Sequence, residues 1–332
     1  MPSNPQEKLR FYHPTEFSTG SQRPSRRVLI FRGLRLYFLG PAAFLVAWLV
    51  SDRVFLSAAL GTAVMFANHA ELEQRSGYLA GLEKSLGEYV RDFIRKARFS
   101  LLLISAGLLA GWWIFGHLRG LFQITETPAS LFSLDPQSFA GLGLTLFCSA
   151  ICGDFLVYWY HRSAHSFGET AFWRMHTVHH SIPYFTAAYG ARAHGLETFL
   201  TYFWYGAGAG FIGTQFQETF ALGTLVMLFM SAHHINAETD VGPLKWIFIT
   251  TEAHRWHHHQ DWKQSGNFSL LLTAWDLLFG TYFCPRPFDG QMGLEDFPHE
   301  FPEDLLSQTA LILPQPYQSL KDKNNTLPLK HS

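Results

Sequence analysis

Histidine is the side chain whose spacing in this sequence most directly suggests chemistry. The chain has 17 histidines in 332 residues, and several stand three or four positions apart. Residues at those intervals share one face of a helix, so each such motif is predicted to direct its imidazoles toward a common point. The sequence contains one HxxxH motif, two HxxHH motifs and a further histidine after an apolar run: His161 and His165; His176, His179 and His180; His254, His257 and His258; and His234.

Imidazoles gathered in this way predict a metal site. Burying them without a partner would cost free energy, and they would repel one another when protonated, so a bound cation gives the arrangement a physical reason. A structural zinc ion takes four ligands and a catalytic one takes three plus water. Nine histidines exceed that need and suit two ions with four or five nitrogen ligands each. Since imidazole binds iron, zinc, copper and nickel, the residues alone leave two zinc ions possible beside two redox-active irons.

The elements that must position these motifs are apolar helices. Hydrophobic residues make up 48% of the chain and charged residues 15%, where soluble domains usually carry about 25% charged residues. We therefore predict an all-α fold of polytopic membrane helices, with a cytosolic helical cap that carries a histidine-rich di-metal site. Six uncharged runs are the candidate spans: Leu36–Ser51, Val54–Ala70, Phe99–Gly116, Pro136–Gly153, Thr198–Gln217 and Thr219–Ala232.

Cationic residues predict which side of the membrane each segment occupies. Lysines and arginines precede the first run and fill the link between the second and third, whereas the opposite loops carry only Arg53 and Arg119. The positive-inside rule then makes the N-terminus and the 71–98 link cytoplasmic. Counting crossings from there puts segments 161–197 and 233–332, with their histidines, on the cytoplasmic face. The link itself has apolar residues at helical spacing, which fits a membrane-surface helix or an ordinary packed helix.

The same reading divides the chain into three parts. Residues 1–98 comprise a polar segment, a helical hairpin and the amphipathic link; residues 99–284 form the catalytic membrane domain; residues 285–332 are a polar, proline-rich tail. A net charge of -1 provides no basic field for nucleic acid. The three cysteines form no CxxC pair and are expected to be reduced.

Two stretches carry a resemblance to a known family. The first runs from Asp154 through the HxxxH motif to the first HxxHH motif, and the second from His234 through the second HxxHH motif to Thr281. In order and interval they resemble the fatty acid hydroxylase and sterol desaturase superfamily over residues 139–284. Two departures stand out: Thr251 occupies a position where the family usually has proline, and Phe268-Ser269 replaces a common Tyr-Gly pair.

The resemblance implies an integral-membrane, multi-pass oxidoreductase that uses two iron ions and O2 as co-substrate. All nine motif histidines would be metal ligands and catalytic residues on the cytoplasmic face. The substrate would be a lipid of sterol, fatty acyl or alkylglycerol type, hydroxylated or desaturated at a C–H bond. The HxxxH spacing is more similar to the sterol desaturase and alkylglycerol branches. Electrons would come from an external donor, cytochrome b5-like or ferredoxin-like with a reductase.

Five further residues are candidates for supporting roles or as additional ligands. Asp154 precedes His161 by seven positions on the same helix face; it is expected to accept a hydrogen bond from a ligating histidine, or to pair with Arg162 or Arg174. His194 is either a tenth ligand or a residue on the substrate side. The resemblance gives supporting positions to Asn236, Asn267 and Asp276.

Rival functions use the same residues. A di-zinc membrane hydrolase would need no O2, a histidine-lined metal transporter would place its sites at mid-membrane or on both faces, and a haem cytochrome would use histidines in axial pairs. Glycines at 206, 208 and 210 either allow close helix packing or leave space for a substrate. Isolated histidines, His69 among them, are expected at the surface or an interface.

Overall fold

The structure, a computed structural model, describes residues 25–76, 91, 100–166, 170–182, 185–186, 190, 192–260, 266–285, 288, 292–294 and 308. Helices account for most of this part of the chain, and its only β-structure is two isolated bridges. The all-α prediction is confirmed. Most of the 71–98 link, the N-terminal polar segment and nearly all of the tail after residue 285 lie outside the described residues.

The apolar runs fold into long helices joined by short connections. The second is preceded by a turn at Asp52, whose backbone adopts a left-handed conformation and whose N–H donates to Trp48 O at 2.8 Å. In chain order the α-helices are α1 (Arg26–Ser51), α2 (Val54–Ser76), α3 (Ser100–Leu121), α4 (Pro128–Leu131), α5 (Phe139–Ser166), α6 (Ala171–His180), α7 (Gly195–Ile212), α8 (Phe216–Met230), α9 (Thr251–His257) and α10 (Ala274–Leu278). Two 3-10 helices, Ser231–His234 and Gly242–Trp246, lie between α8 and α9.

Three helices in the described part of the chain are long and apolar enough to cross a membrane: α1, α3 and α5. Each of the six predicted runs lies largely within a helix, but the helices of the other three do not meet both conditions. Helix α8 has 15 residues and extends only about 22 Å, less than the hydrocarbon thickness of about 30 Å. Helix α2 is long enough, but its last two turns carry polar and charged residues from Glu71 onward.

The turn between α7 and α8 does not lie at Glu218, the charged residue that separates the last two predicted runs. Helix α7 ends at Gly213, which has a φ of 92° and donates its N–H to Ala209 O. Buried Arg119 satisfies the last carbonyls of α7, donating to Phe211 O at 3.1 Å and to Ile212 O at 2.6 Å. Glu218 instead lies in the first turn of α8 and accepts from Gln215 N. The chain turns where glycine permits a left-handed residue rather than where the charge stands.

Helix α7 packs against both α3 and α5 through glycines. A Cβ on Gly111 would lie 2.0 Å from Phe203 O, and a Cβ on Gly206 would lie 2.0 Å from Leu108 O. A Cβ on Gly208 would lie 2.4 Å from Gly153 N in α5. Small residues thus bring the three backbones into direct contact, as is common between helices in lipid. Glycines 206, 208 and 210 are packing residues, because each faces the backbone of a neighbouring helix.

A cap of short helices and loops covers one end of the long helices. It comprises α6, the two 3-10 helices, α9, α10 and their connections, and it adjoins the C-terminal end of α5. Asp154 of α5 fastens the loop before α10, because its carboxylate accepts from the backbone N–H groups of Leu271 and Leu272 at 3.0 and 2.9 Å. The end of α5 and the cap together hold the predicted histidines.

Replacing Gly111 with valine should destabilise the protein, because the added carbons would force α3 away from α7. Overpacking typically costs about 1–3 kcal/mol, and here the obstacle is backbone, which adjusts poorly. The matched control is Gly116→Val in the same helix, where a Cβ would meet no described atom within 4 Å. Thermal unfolding in detergent should show a lower Tm for Gly111→Val only. Equal Tm values for the two variants would contradict close α3–α7 packing.

Candidate metal centre

All nine predicted histidines converge at the junction of α5 and the cap. His161 and His165 lie one turn apart at the end of α5. Helix α6 starts after Thr170, whose side chain accepts from Trp173 N, and helix α9 starts after Thr250, whose side chain accepts from Ala253 N. These N-caps set where each HxxHH helix begins and therefore which way its imidazoles point.

Four of the histidines form the first of two groups. The ligand nitrogens of this first group lie within 4.8 Å of one another. His180 adjoins it, with its Nε2 at 3.0 Å from His176 Nε2 and 3.1 Å from His257 Nε2. The first group consists of His161, His165, His176 and His257, all buried.

The remaining four histidines form the second group under the same 4.8 Å limit. His258 is central to it: its Nε2 lies 3.1 Å from the Nε2 atoms of both His179 and His254, and 3.3 Å from that of His234. The group consists of His179, which is partly exposed, and the buried His234, His254 and His258.

Each HxxHH motif divides its histidines between the two groups, which differs from the expected single point. In α9, His254 and His258 are four residues apart and enter the second group, whereas His257 enters the first. In α6, His176 enters the first group and His179 the second. Residues at i, i+3 and i+4 lie on one face of a helix but at different positions across that face. Two helices that cross can therefore each contribute histidines to two adjacent sites. The rings of His180 and His258 stack at 4.4 Å where the groups meet.

Hydrogen bonds at Nδ1 decide what each Nε2 can do. His161 Nδ1 lies 2.7 Å from Phe268 O, and His257 Nδ1 lies 2.9 Å from Gly266 O. Because a carbonyl only accepts, each of these Nδ1 atoms must carry the proton, and each Nε2 is then an unprotonated lone pair in the neutral ring. His179 follows the same pattern, with Nδ1 at 3.1 Å from Arg192 O.

These lone pairs face one another. His161 Nε2 and His176 Nε2 are 2.9 Å apart, and His176 Nδ1 is engaged by the Glu197 carboxylate. Neither Nε2 then has a proton to donate, so the contact is repulsive until a cation lies between them. The donor set of neutral nitrogens, with the second ring nitrogen anchored by an acceptor, is the usual arrangement for a metal-ligating histidine. The residues therefore fit bound metal ions.

Burial keeps the imidazoles neutral. It lowers the pKa of His176 to about 3 and, despite the partial exposure of that ring, the pKa of His179 to about 4. Burial, followed by the neighbouring imidazoles, lowers the pKa of His180, His254 and His258 well below the ordinary value. Neutral imidazole is the form that binds metal, so the site is prepared for a cation at physiological pH.

Glu197 is the functional residue that sequence reasoning did not assign. It lies in the first turn of α7, is 7% exposed, and receives the Nδ1 proton of His176 through Oε1. A carboxylate in this position fixes the ring and raises the basicity of the ligating nitrogen. The available signal was an acid at the start of an otherwise apolar helix, in the segment Arg192-Ala-His194-Gly-Leu-Glu197.

Asp154 does not contact a histidine, so both roles expected for it were wrong. Its carboxylate accepts from Tyr205 Oη at 2.7 Å and from Trp275 Nε1 at 3.0 Å, besides the two backbone groups of the loop. Arg162 instead donates to Tyr158 Oη. Asp154 was predicted from helical spacing to lie on the same face of α5 as His161. Because two helical turns separate the two residues, the Asp154 carboxylate lies beside the loop before α10 instead.

Asn267 and Asp276 act on the histidines through the backbone. Asn267 has a positive φ of 56°, and its amide donates to Ala253 O and Phe283 O and accepts from Phe283 N. Asp276 accepts from the N–H groups of Phe268 and Ser269 at 2.8 and 3.0 Å. They fix the strained segment whose carbonyls, at residues 266 and 268, receive the Nδ1 protons of His257 and His161.

His194 is a helix cap rather than a tenth ligand. Its Nδ1 accepts from Leu196 N at 3.1 Å, which leaves the proton on Nε2 to donate to Gln308 O at 3.0 Å. Both ring nitrogens are therefore occupied by protein. Asn236 contributes its backbone N–H to Glu73 at 3.0 Å and is in neither histidine group. His69, expected at a surface or interface, is only 1% exposed.

A hydrogen-bonded contact ties α1 to the second group. Tyr37 Oη accepts from Thr251 N at 2.5 Å and lies 2.9 Å from Thr251 Oγ1, which donates to Ala232 O at 2.9 Å. Thr251 opens the helix that carries His254 and His258, and Ala232 precedes His234 by two residues. This contact therefore positions three of the four histidines of the second group.

An apolar cavity of about 170 Å³ reaches both groups of histidines. Its walls come from α2, α3, α5, α7, α8 and the loop before α10, with apolar side chains that include Met65, Ile104, Val157, Met227 and Leu270. Its lining also includes His161 and His176 of the first group and His179, His234 and His254 of the second. A hydrocarbon chain in this cavity would meet the nitrogens of both groups.

Comparisons with known proteins agree with this architecture. The sequence model of the fatty acid hydroxylase family matches residues 146–281. The chain is 28% identical over 146 residues to ornithine lipid hydroxylase OlsE of Rhizobium tropici, which covers 43% of the chain and 44% of that protein. It is 27% identical over 221 residues to alkylglycerol monooxygenase of Homo sapiens, covering 59% of the chain and 49% of that protein.

The matches to these two relatives span less than half the length of each. No solved structure matches the chain. The matched segment 146–281 contains all nine histidines and the loop that anchors them. Residues 146–281 therefore match a fatty acid hydroxylase domain, and the similar proteins belong to the fatty acid hydroxylase and sterol desaturase superfamily.

Proposed function

We propose that this protein is an O2-dependent di-iron hydroxylase or desaturase that acts on a C–H bond of a lipid. The observation that supports it best is the pair of adjacent histidine groups in the lining of an apolar cavity, with unprotonated Nε2 atoms at His161, His257 and His179. The similar proteins named above are a hydroxylase of ornithine lipid and a monooxygenase of alkylglycerol. Both names describe oxidation of a lipid.

Two iron ions, one in each histidine group, would supply the reductive activation of O2 and the oxidant for the C–H bond. His161, His165, His176 and His257 would hold the first, with His180 beside it, and His179, His234, His254 and His258 the second. The backbone carbonyls of residues 266 and 268 and the Glu197 carboxylate keep the Nδ1 protons of His257, His161 and His176, so these three rings present their Nε2 lone pairs. The apolar cavity walls would exclude water and orient the chain of the substrate.

The lining of the cavity supports a class of substrate. The surface that faces the cavity is mostly apolar, with methionine, leucine, isoleucine and valine side chains at seven positions. Besides the histidines and Glu197, its polar groups are hydroxyls at seven positions: Thr62, Ser100, Thr198, Thr201, Tyr160, Tyr202 and Ser231. Such a surface suits an alkyl or acyl chain that carries few polar groups. We propose a membrane lipid of the sterol, fatty acyl or alkylglycerol type, with electrons from an external donor that is cytochrome b5-like or ferredoxin-like with a reductase.

The rival functions lose support from the geometry. A transporter would need metal sites along a path, whereas both histidine groups lie together at one end of the long helices. Axial haem ligation would require open space between paired imidazoles, but the Nε2 atoms approach to 2.9–3.3 Å. The positive-inside pattern supports placing this end in the cytoplasm. The geometry suits a di-zinc hydrolase as well, and metal analysis distinguishes that enzyme from a di-iron oxygenase.

Removing one ligand from either group should abolish activity and reduce bound iron. We expect His176→Ala and His258→Ala each to lower lipid-dependent O2 consumption by more than the roughly 10–100-fold typical of residues that only support a ligand. His117→Ala is the matched control, because His117 is exposed and remote from the motifs. Elemental analysis and O2 uptake with a lipid extract provide the two measurements. Zinc in place of iron, or no O2 uptake by iron-loaded protein, would refute the proposal.

Replacing Glu197 with glutamine should weaken metal binding without unfolding the protein. An amide cannot hold the Nδ1 proton of His176 as a carboxylate does, so we expect a loss of about 10–100-fold in iron affinity or turnover. Glu218→Gln is the control, because Glu218 also lies in the first turn of an apolar helix but is only partly buried and binds Gln215 N rather than a histidine. Iron titration of both variants would decide. Unchanged affinity in Glu197→Gln would show that this carboxylate does not support the ligand.

The metal-free protein should lose stability as the pH falls. His176 and His179 have folded pKa values of about 3 and 4, below the ordinary value of about 6.5. Between those values the unfolded chain binds protons that the folded chain does not, so the free energy of unfolding decreases as pH drops from about 6.5 toward 4. Thermal unfolding of the metal-free protein at several pH values should show a falling Tm. A Tm that is constant across this range would contradict neutral, buried imidazoles.

A further inference from the structure

The cap exposes a set of large apolar side chains that its own packing does not explain. Trp246 is the last residue of the second 3-10 helix and Ile247 follows it, with exposed fractions of 52% and 50%. Leu277 and Leu278 belong to α10, with exposed fractions of 45% and 68%. The two segments are joined by hydrogen bonds from Thr273 N to Ile247 O and from Ile249 N to Leu271 O. We call Trp246, Ile247, Leu277 and Leu278 the apolar rim.

The rim lies beside a membrane-spanning helix rather than above it. The loop before α10 binds Asp154, which precedes His161 by seven residues in α5, a rise of about 10 Å along the helix. Aromatic contacts continue this side-by-side packing, with ring centroids 5.0 Å apart for Phe155 and Trp275 and 4.9 Å apart for Trp159 and Phe279. The rim is therefore continuous with the outer side of α5, where Trp159 is 43% exposed.

The irregular backbone of this region is paired in the way that a hydrocarbon environment demands. Non-helical backbone persists at membrane depth only where its polar groups are satisfied. Leu271 N and Leu272 N donate to Asp154, Leu277 N donates to Thr273 O, and Phe279 N donates to Trp275 O. A carboxylate inside a membrane helix is costly, and the four donors around Asp154 offset that cost.

The charge distribution points to the same surroundings. From Gly266 to Cys284 the only charged residue is the buried Asp276, and from Gly242 to Thr251 the only one is Lys245. The Lys245 ammonium lies 5.1 Å from the centroid of the Trp246 ring. A lysine beside a tryptophan is typical of the membrane interface, where the ring lies at headgroup level and the ammonium reaches water.

We propose that the apolar rim is inserted into the lipid bilayer, so that the cap is held in the membrane and not only above it. The partner of this surface is the acyl and headgroup boundary of the leaflet next to the histidines. Insertion would fix the depth of α9 and its ligands, because α10 and the 266–276 loop connect the rim to the carbonyls that anchor His161 and His257. The inference depends on the membrane-spanning helices and not on the identity of the metal.

Site-directed spin labelling tests this placement directly. The three native cysteines are first replaced by alanine, and single cysteines are introduced as Leu278→Cys or Ile247→Cys. The protein is reconstituted into dioleoylphosphatidylcholine vesicles. Power saturation then compares collisions of the label with O2, which concentrates in lipid, and with a water-soluble nickel chelate. Leu102→Cys, at a 68% exposed position of α3, provides the lipid reference, and Gln137→Cys, at an exposed polar position, provides the water reference.

We expect the O2-to-nickel accessibility ratios at Leu278 and Ile247 to match that of Leu102 and to exceed that of Gln137. Ratios equal to that of Gln137 would place the rim in water and overturn the proposal. Low accessibility to both reagents, with dipolar broadening between labels, would show that a second copy of the chain covers the rim, and this too would overturn it. Two label positions are read separately, so a poorly folded variant at one leaves the other decisive. The measurement needs no bound metal, so its outcome is independent of the proposed oxygenase activity.

Discussion

The arrangement depends on unprotonated imidazole nitrogens held at close range inside the protein. His161, His179 and His257 each donate the Nδ1 proton to a carbonyl oxygen. Their Nε2 atoms therefore carry no proton and can only accept. The contact of 2.9 Å between His161 Nε2 and His176 Nε2 is therefore repulsive, and a cation would turn it into a favourable interaction. Bound metal would in turn join α5, α6 and α9, so metal binding and assembly of the cap are expected to be coupled.

Much of the surrounding structure serves to keep the Nδ1 acceptors in place. Asp276 and Asn267 hold the segment that supplies the carbonyls, and Asp154 holds the loop that follows it. These three buried polar side chains thereby influence the histidines indirectly, through the backbone segments that they hold. This explains why polar residues remain in a region that otherwise excludes charge: each satisfies backbone groups that lipid could not.

The convergence of the histidine motifs could be predicted from the sequence, because intervals of three and four residues place side chains on one face of a helix. Those intervals are visible without the tertiary structure. The sequence did not predict how α6 and α9 share the histidines, since that depends on the angle at which the two helices cross. Glu197 was missed because one acid carries no periodic signal, and His194 was overestimated because helix capping uses the same ring nitrogens as metal binding. The uncharged apolar runs predicted six spans, whereas the length and hydropathy of the helices support three within the described residues.

Thr251 shows how a departure from a family pattern can gain a structural role. The family usually has proline here, which favours the start of a helix but has no N–H to donate. Threonine also fits the start of α9, and it adds an N–H that reaches Tyr37 and a hydroxyl that reaches Ala232. Tyr37 belongs to α1, which lies outside the matched segment 146–281. The first hairpin is thus hydrogen-bonded to the helix that carries His254 and His258, so that a helix outside the matched segment helps to determine the geometry of the proposed metal site.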